Sequence, residues 1–278
     1  KNSSLLNQVE KLPYGDYSPS QTGVHWWGHR FLLFVEGVTA VFDGFTALDI
    51  PAFGIEHGEL RIIIGPNGAG KTTFCDLVSG KTPSTTGNIY FDGQTITRLQ
   101  EAEIVRRGIG RKFQTPAVFD SLTTFENMEL ALPGHKKFMT DILYSASKDE
   151  KELIESILER VHLIEQRDIP AKYLSHGQRQ WLAISALILS NPKLLLIDEP
   201  AAGLTDSETE LTGELLLELK ENHTIVVIEH DMDFVRQLDS KVTVLCEGQL
   251  MAEGSLSEVQ QNKEVIEDLE GIVKDKDN

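Results

Sequence analysis

The chain has 278 residues, of which 40% are hydrophobic and 25% charged, as in an ordinary globular protein, and its formal net charge is −17. So acidic a chain is poorly suited to gripping a phosphate backbone non-specifically, which counts against nucleic acid as a partner. No run reaches the roughly 20 apolar residues that span a bilayer, so any work at a membrane requires a partner.

The N-terminal third predicts an extension followed by strands. Residues 1–30 lack periodicity and contain Pro13 and Pro19, which predicts a disordered extension. Residues 31–278 are expected to form one domain. There, FLLFVEGVTAVF alternates as a strand does, DGFTAL predicts a turn before the strand DIPAFGI, and ELRIIIG predicts a strand buried on both faces. KTTFCDLVSG predicts a helix that ends at Gly80, and GNIYFDGQTI a hairpin.

The rest of the chain alternates helical and strand patterns. Residues from about 115 to 185 are rich in helical periodicity, whereas PKLLLIDEP and HTIVVIEHD are short apolar runs and KVTVLCEGQLMAEG reads as a hairpin. Strands that alternate with helices predict an α/β core, and the helix-rich middle predicts a helical subdomain inserted into that core.

A phosphate-binding loop is predicted between the strand ELRIIIG and the helix after it. GPNGAGKT matches the G-x-x-x-x-G-K-S/T pattern, in which glycines let backbone N–H groups point at phosphate oxygens and the helix start adds positive charge. We expect Lys71 to reach the β- and γ-phosphates of ATP and the Thr72 hydroxyl to bind Mg²⁺. The residues predicted to bind ATP here are Gly65, Pro66, Asn67, Gly68, Ala69, Gly70, Lys71, Thr72 and Thr73.

Two carboxylates follow the strand LLLID at the edge where ligands of α/β sheets bind. Because adjacent strand residues point in opposite directions, Asp198 is predicted to serve the metal while Glu199 polarises the attacking water as general base. A solvated Asp-Glu turn is the alternative. His230, at the end of TIVVIEH, should emerge at the same rim and contact the γ-phosphate. Gln114 in GRKFQTP can donate and accept, which suits sensing of the γ-phosphate, the water and the metal.

The stretch YLSHGQRQWLAISALIL begins with a turn and becomes a helix, with Ser175, His176, Gly177 and Gln178 at its mouth. The chain resembles the nucleotide-binding subunit of an ABC transporter. The resemblance rests on six motifs in this order: the phosphate loop, FQTP, LSHGQ, LLLIDEP, AAGLTD and IEHD. The resemblance implies a P-loop ABC ATPase fold: an α/β core with an antiparallel β subdomain and the helical subdomain. It also implies that two subunits pack head to tail, so that residues 175–178 meet ATP held by the partner.

Details of the motifs narrow the resemblance. The chain is similar to ATPases of the branched-chain amino acid/urea importer type, and LSHGQ followed by QW looks most like the D-type ATP-binding subunit of urea transporters. Urea is therefore the expected cargo, and branched-chain amino acids are the alternative. Importers of this type combine two different ATPase subunits, two membrane permeases and an external binding protein, which implies a peripheral location at the cytoplasmic face of the membrane.

Two positions depart from the family pattern, and two further features follow from the resemblance. His176 stands where glycine is usual, and Thr205 replaces an aspartate, which favours asymmetric pairing.

Phe42 is implied to stack on adenine, with Phe45 as its rival and a core phenylalanine as the alternative. The segment after Gln114, with Pro116, Val118 and Phe119, should face the permeases unless it packs the helical subdomain.

Two other functions are disfavoured. An ABC ATPase that works on ribosomes or DNA is unlike this chain, which has one cassette and no long heptad run. A non-catalytic scaffold would lack Lys71, Asp198 or Glu199, and all three are present.

Overall fold

Two β-sheets organise the computed structural model, which describes residues 30–112, 118–132 and 146–261. The described strands are β1 Phe31–Phe42, β2 Phe45–Glu56, β3 Leu60–Ile64, β4 Thr86–Phe91, β5 Gln94–Thr95, β6 Ile109–Lys112, β7 Leu194–Asp198, β8 Thr224–Ile228, β9 Lys241–Cys246 and β10 Gln249–Gly254. The described α-helices are α1 Lys71–Val78, α2 Glu101–Arg107, α3 Thr124–Ala131, α4 Lys148–Arg160, α5 His176–Leu189, α6 Asp206–Leu219, α7 Met232–Leu238 and α8 Leu256–Val259.

The larger sheet is mostly parallel. Its strand order is β10-β9-β3-β8-β7-β6, and only β10 runs antiparallel to its neighbour. The smaller sheet, β2-β1-β4-β5, is antiparallel throughout. The α/β core and the antiparallel β subdomain predicted from the sequence are therefore present.

The parallel sheet is buried on both faces because its strands alternate between two cores. Ile62, Leu195 and Val227 join one cluster, which they share with α3, α4 and α5. Ile63 and Leu196 join the other, which contains α1 and residues of β1 and β2. The period-two alternation of a strand thus places α3, α4 and α5 on one face and α1 with the antiparallel sheet on the other.

Several elements differ from the sequence expectations. The predicted turn DGFTAL is only Asp43-Gly44, because both residues adopt positive φ (48° and 85°) and close a tight hairpin from which β2 starts at Phe45. The patterns gave no prediction for β6, α2, α6 or α7. The N-terminal extension and the last residues, 262–278, lie outside the described part of the chain, and the limits of the helical subdomain stay a prediction.

None of the described helices is both long and apolar enough to cross a bilayer.

Candidate functional site

The candidate site lies where the central parallel strands end. β3 and β7 both flank β8, and in the register of β7 with β8 Asp198 stands opposite Ile228. The segments that leave these strands therefore meet at one sheet edge, which is where ligands of α/β sheets bind. The segments are residues 65–70 after β3, Glu199 after β7 and Glu229-His230 after β8.

The loop between β3 and α1 needs its glycines because other backbone lies against it. A Cβ on Gly65 would lie 2.0 Å from the carbonyl oxygen of Leu245, and one on Gly70 would lie 2.8 Å from that of Ala47. Gly70 is the N-cap of α1, with φ of 98° and no side-chain cap. The N–H groups of the first turn of α1 therefore remain for an anion.

Lys71 is nearly buried, and its Nζ donates to the carbonyl oxygens of Gly65 (2.6 Å) and Pro66 (2.9 Å). Burial lowers the pKa of Lys71, and the carboxylates of Glu199 and Asp198 oppose that effect. The ammonium thus lies over its own loop with acidic neighbours.

The other residues of the predicted loop differ in exposure. Asn67, Gly68 and Thr72 are exposed, and Thr73 is half-buried. Ala69 is buried, and its side chain packs in the core. Only its backbone can therefore contribute to ligand binding.

Asp198 is 5% exposed and belongs to a buried charge network. Burial raises its pKa, whereas Arg111, with Nη2 4.0 Å from Oδ2, lowers it. Arg111 also donates to Asp76 Oδ1 (2.5 Å) and Ser79 Oγ (3.0 Å), which ties α1 to β6. Neither Arg111 nor this link was predicted from the sequence, because only Gln114 was singled out in the stretch GRKFQTP.

A second buried cation stands beside Arg111. Lys112 is 3% exposed, and its Nζ has no hydrogen-bond partner among the residues that the structure describes. Burial lowers the pKa of Lys112 to about 8, against the opposing effect of Asp198 and of Glu229. The carboxylates at this edge therefore face more positive charge than Lys71 alone supplies.

The donors fit a hard cation that is also held by phosphate oxygens. Asp198 and Thr72 offer a carboxylate and a hydroxyl, the oxygen ligands that Mg²⁺ prefers when substrate phosphates complete its shell. No group of three or more His, Cys, Asp or Glu side chains could hold a metal alone in residues 30–112, 118–132 and 146–261.

Glu199 does not lie in the strand, so the strand alternation on which its prediction rested does not apply to it. The strand ends at Asp198, and Glu199 adopts a left-handed backbone with φ of 45°. Its N–H donates to the carbonyl oxygen of Ile228 (3.0 Å), which fixes it against β8. The backbone at Glu199 is thus set by a turn and not by the strand.

His230 lies beyond the strand that was expected to end on it. Strand β8 ends at Ile228, and His230 occupies the following loop with Nδ1 3.6 Å from Glu199 Oε1. The structure therefore brings Glu199 and His230 together, as the common rim predicted, although His230 is held by a loop.

Glu229 is a residue that the sequence reading missed. It is 1% exposed, and its carboxylate accepts hydrogen bonds from the N–H groups of Ala201 (3.0 Å), His230 (2.9 Å) and Asp231 (3.2 Å). Burial raises the pKa of Glu229, whereas these bonds lower it. An acid directly after the apolar run TIVVI was the available signal.

The aromatic candidates for adenine are both exposed. Phe42 pairs with Phe45 across the β1–β2 turn, and the two residues are 43% and 69% exposed. The alternative of a core phenylalanine is therefore wrong for Phe42, and its stacking role stays a prediction. Gln114 and Pro116 lie outside the described residues. Phe119 is 61% exposed, whereas Val118 packs partly against the core.

The predicted helix start at Ser175 is a capping box. Ser175 Oγ accepts from Gln178 N (3.1 Å), and Gln178 Oε1 accepts from Ser175 N (2.9 Å). Ser175 Oγ also donates to Glu208 Oε1 (3.1 Å), and a Cβ on Gly177 would lie 2.5 Å from that oxygen. Across the described residues, no hydrogen bond or ion pair joins residues 175–178 to residues 65–73. The second helix start is therefore built apart from the first.

Comparison with known proteins gives one consistent family. A family model described as "ABC transporter" matches residues 48–202. A probable branched-chain amino acid transport ATP-binding protein, LivG of Archaeoglobus fulgidus, is 34% identical, covering 85% of this chain and 94% of its own length.

Two solved structures are also similar. The ADP conformation of MJ1267, an ATP-binding cassette of an ABC transporter, has a TM-score of 0.77 at 31% identity over 87% of this chain and 99% of its own. A dimeric post-hydrolysis state of the cassette MJ0796, bound to ADP and Pi, has a TM-score of 0.67 at 26% identity over 81% of this chain and 98% of its own.

Proposed function

The chain belongs to the ABC transporter family, and from that premise we propose that it is the ATP-hydrolysing subunit of an importer for branched-chain amino acids. One observation carries the hydrolytic part: a phosphate loop with Lys71, a buried Asp198 and a Glu199–His230 pair meet at one sheet edge. The assignment of the cargo rests on the name of a relative, because none of the ATP motifs recognises an amino acid.

In this proposal, the start of α1 binds the phosphates of ATP. Lys71 moves its ammonium from the carbonyl oxygens of its loop to the β- and γ-phosphates, and the uncapped N–H groups complete the cradle. Thr72 and Asp198 would hold Mg²⁺, which would neutralise charge on the phosphate oxygens. Phe42 stacks on adenine from the exposed tip of the β1–β2 hairpin.

Glu199 accepts a proton from the attacking water as general base. Its backbone bond to Ile228 holds it at the rim, and His230, 3.6 Å away, orients its carboxylate and contacts the γ-phosphate. Gln114 senses the γ-phosphate and the metal. Its role is proposed from the sequence alone, together with that of the surface after it, which would contact the permeases.

The start of α5 serves a different nucleotide. We propose that Ser175 and the N–H groups of His176 and Gly177 meet the γ-phosphate of ATP bound to a partner ATPase, as a helix N-terminus does. The first hydrogen bond within this helix runs from Arg179 N to Ser175 O, so these two N–H groups have no acceptor inside the helix. Gln178 completes the segment through its bond to Ser175.

We propose that this chain and its partner ATPase belong to a heteromeric complex. Its parts are a second, different ATPase, two permeases and an external binding protein, with the present chain on the cytoplasmic face. Thr205 supports unequal partners: it caps α6 where the family has an aspartate, so this loop offers a hydroxyl and not a charge.

Urea is the second candidate cargo. It is favoured by His176 within LSHGQ and by the Gln180-Trp181 pair that follows, the features that resemble the urea-type subunit. The relative described above carries the branched-chain amino acid name, so that cargo takes precedence.

The test is uptake of labelled leucine and labelled urea by cells that carry either the intact chain or Lys71→Ala. We expect leucine uptake to fall to background in the variant while urea uptake is unchanged. Loss of urea uptake alone would keep the ATPase assignment and change the cargo. If neither uptake changes, the proposed cargo class is wrong.

A further inference from the structure

Three polar groups join the start of α5 to residues 199–205, the loop between β7 and α6. His176 Nε2 lies 3.2 Å from the carbonyl oxygen of Ala202 and 3.2 Å from Gln180 Nε2. Gln180 Nε2 also donates to the Ala202 oxygen at 3.2 Å. With a proton on Nε2 the histidine donates to Ala202, and without one it accepts from Gln180. The ring is therefore bonded to this cluster in both tautomers.

Gln180 is held in this cluster at a cost. It is 1% exposed, and its Oε1 has no hydrogen-bond partner in the part of the chain that the structure describes. A buried amide acceptor without a partner is unfavourable, and native structures contain few of them. The amide is thus committed through Nε2 to Ala202 and His176 and not to the core around it.

The same loop is anchored on its other side by Glu229. Glu229 Oε1 accepts from Ala201 N (3.0 Å), and its Oε2 accepts from His230 N (2.9 Å). Ala201 and Ala202 are consecutive. The N–H of Ala201 therefore bonds to Glu229, which precedes His230, while the carbonyl oxygen of Ala202 contacts the start of α5. The contacts form a continuous path through the loop.

We infer that His176 is a positioning residue that fixes residues 199–205 on the start of α5, so that residues 175–178 move together with Glu199 and His230. The inference rests on the proposed function, in which Glu199 and His230 act on the chain's own ATP and residues 175–178 on the partner's. Glycine, the usual residue at this position in the family, has no side chain for such a contact. His176 therefore gives this chain an additional link between the two nucleotides.

Hydrogen–deuterium exchange of the full chain tests the contact itself. Relative to the unaltered chain, His176→Ala should raise exchange at residues 202–205 about threefold to tenfold, because one of the bonds that hold the loop is lost. His176→Gln, which places a donor and acceptor at similar reach, should restore slow exchange. His57→Ala is the matched control, since His57 is exposed in the β2–β3 turn. Unchanged exchange at residues 202–205 in His176→Ala would overturn the inference.

Hydrolysis by the assembled transporter tests the consequence. We expect His176→Ala to lower kcat about tenfold. KM for ATP should stay within about twofold, since the substitution leaves the phosphate loop of residues 65–70 intact. His176→Gln should recover most of kcat, a rescue that a general loss of stability would not give. Equal kcat in His176→Ala and the unaltered complex would refute the coupling. Absence of ATP hydrolysis in the unaltered complex would refute the proposed function, while the exchange result still decides the contact.

Discussion

The two helix starts that we propose to bind phosphate, at α1 and at α5, are built in different ways. Gly70 caps α1 with its backbone alone, and the cradle depends on glycines against which other backbone is packed. Ser175 caps α5 with its side chain, in a box with Gln178 that is tied to Glu208. The first site therefore depends on exact backbone geometry, and the second on side-chain hydrogen bonds to the chain's own loop.

The comparison predicts that α1 tolerates change least. Gly65→Ala should lower the free energy of unfolding by about 3 kcal/mol, because the new Cβ would lie 2.0 Å from the Leu245 carbonyl oxygen. Urea denaturation measures the effect. Gly93→Ala is the control: this glycine also has positive φ, but nothing lies within 4 Å of its Cβ, so only about 1 kcal/mol should be lost. Equal losses would show that the loop is not tightly packed.

The next largest effect should be on ATP affinity. Lys71→Ala removes the ammonium that lies over the loop and should weaken ATP binding by about a hundredfold, as loss of a charged hydrogen bond does. Equilibrium binding of a fluorescent ATP analogue to the purified chain measures it. Lys81→Ala, in the turn after α1, should leave the affinity within about twofold. An unchanged affinity in Lys71→Ala would remove this site from ATP binding.

At α5 the effects should separate stability from the chain's own ATP affinity. Ser175→Ala should cost about 1 kcal/mol of unfolding free energy, the usual value of an N-cap, and leave ATP affinity of the isolated chain unchanged. Ser147 caps α4 with the same kind of box, so Ser147→Ala should cost a similar amount. Only Ser175→Ala should lower hydrolysis by the assembled complex. Equal activity of the two variants would contradict a role for Ser175 at the partner's ATP.

The smallest predicted effect concerns the support of α5. Hydrogen bonds from Thr205 and Ser175 hold the pKa of Glu208 below its usual range, so its ionised form stabilises the fold. That contribution is present above the ordinary glutamate pKa of about 4.3 and is lost as pH falls through the lowered pKa. Glu208→Gln keeps the cap but removes the charge, and should cost roughly 0.5 kcal/mol at pH 7.

Denaturation of this variant at a series of pH values checks the sign. The difference from the unaltered chain should shrink on acidification below about pH 4. A difference that grows on acidification would mean that Glu208 is destabilising when ionised.

Much of the fold could be predicted because its central strands are short apolar runs. β3, β7 and β8 are five-residue segments with every residue buried, and such runs are distinctive in a sequence. β6 contains Arg111 and Lys112, so it lacks this signal. The first turn of α6 is acidic, and its apolar positions begin only at Leu211. The charged residues that β6 contributes to the site thus hide the strand itself.

The site could be predicted only in part, for a related reason. Lys71 and Asp198 follow from local motifs, each with its strand beside it. The role of Glu229 depends on a contact with Ala201, 28 residues earlier in the chain, and no local pattern encodes it. The backbone conformation of Glu199 likewise includes a positive φ that its own residue type does not require.

The most direct test of the account is to count ATP by native mass spectrometry on the assembled complex with Glu199→Gln to slow hydrolysis. We predict that adding Ser175→Glu, which places a charge where the partner's γ-phosphate should lie, removes ATP from the partner while this chain keeps its own. Lys71→Ala should do the opposite. If Ser175→Glu removes ATP from its own chain or from neither, the helix start at Ser175 does not serve the partner's nucleotide.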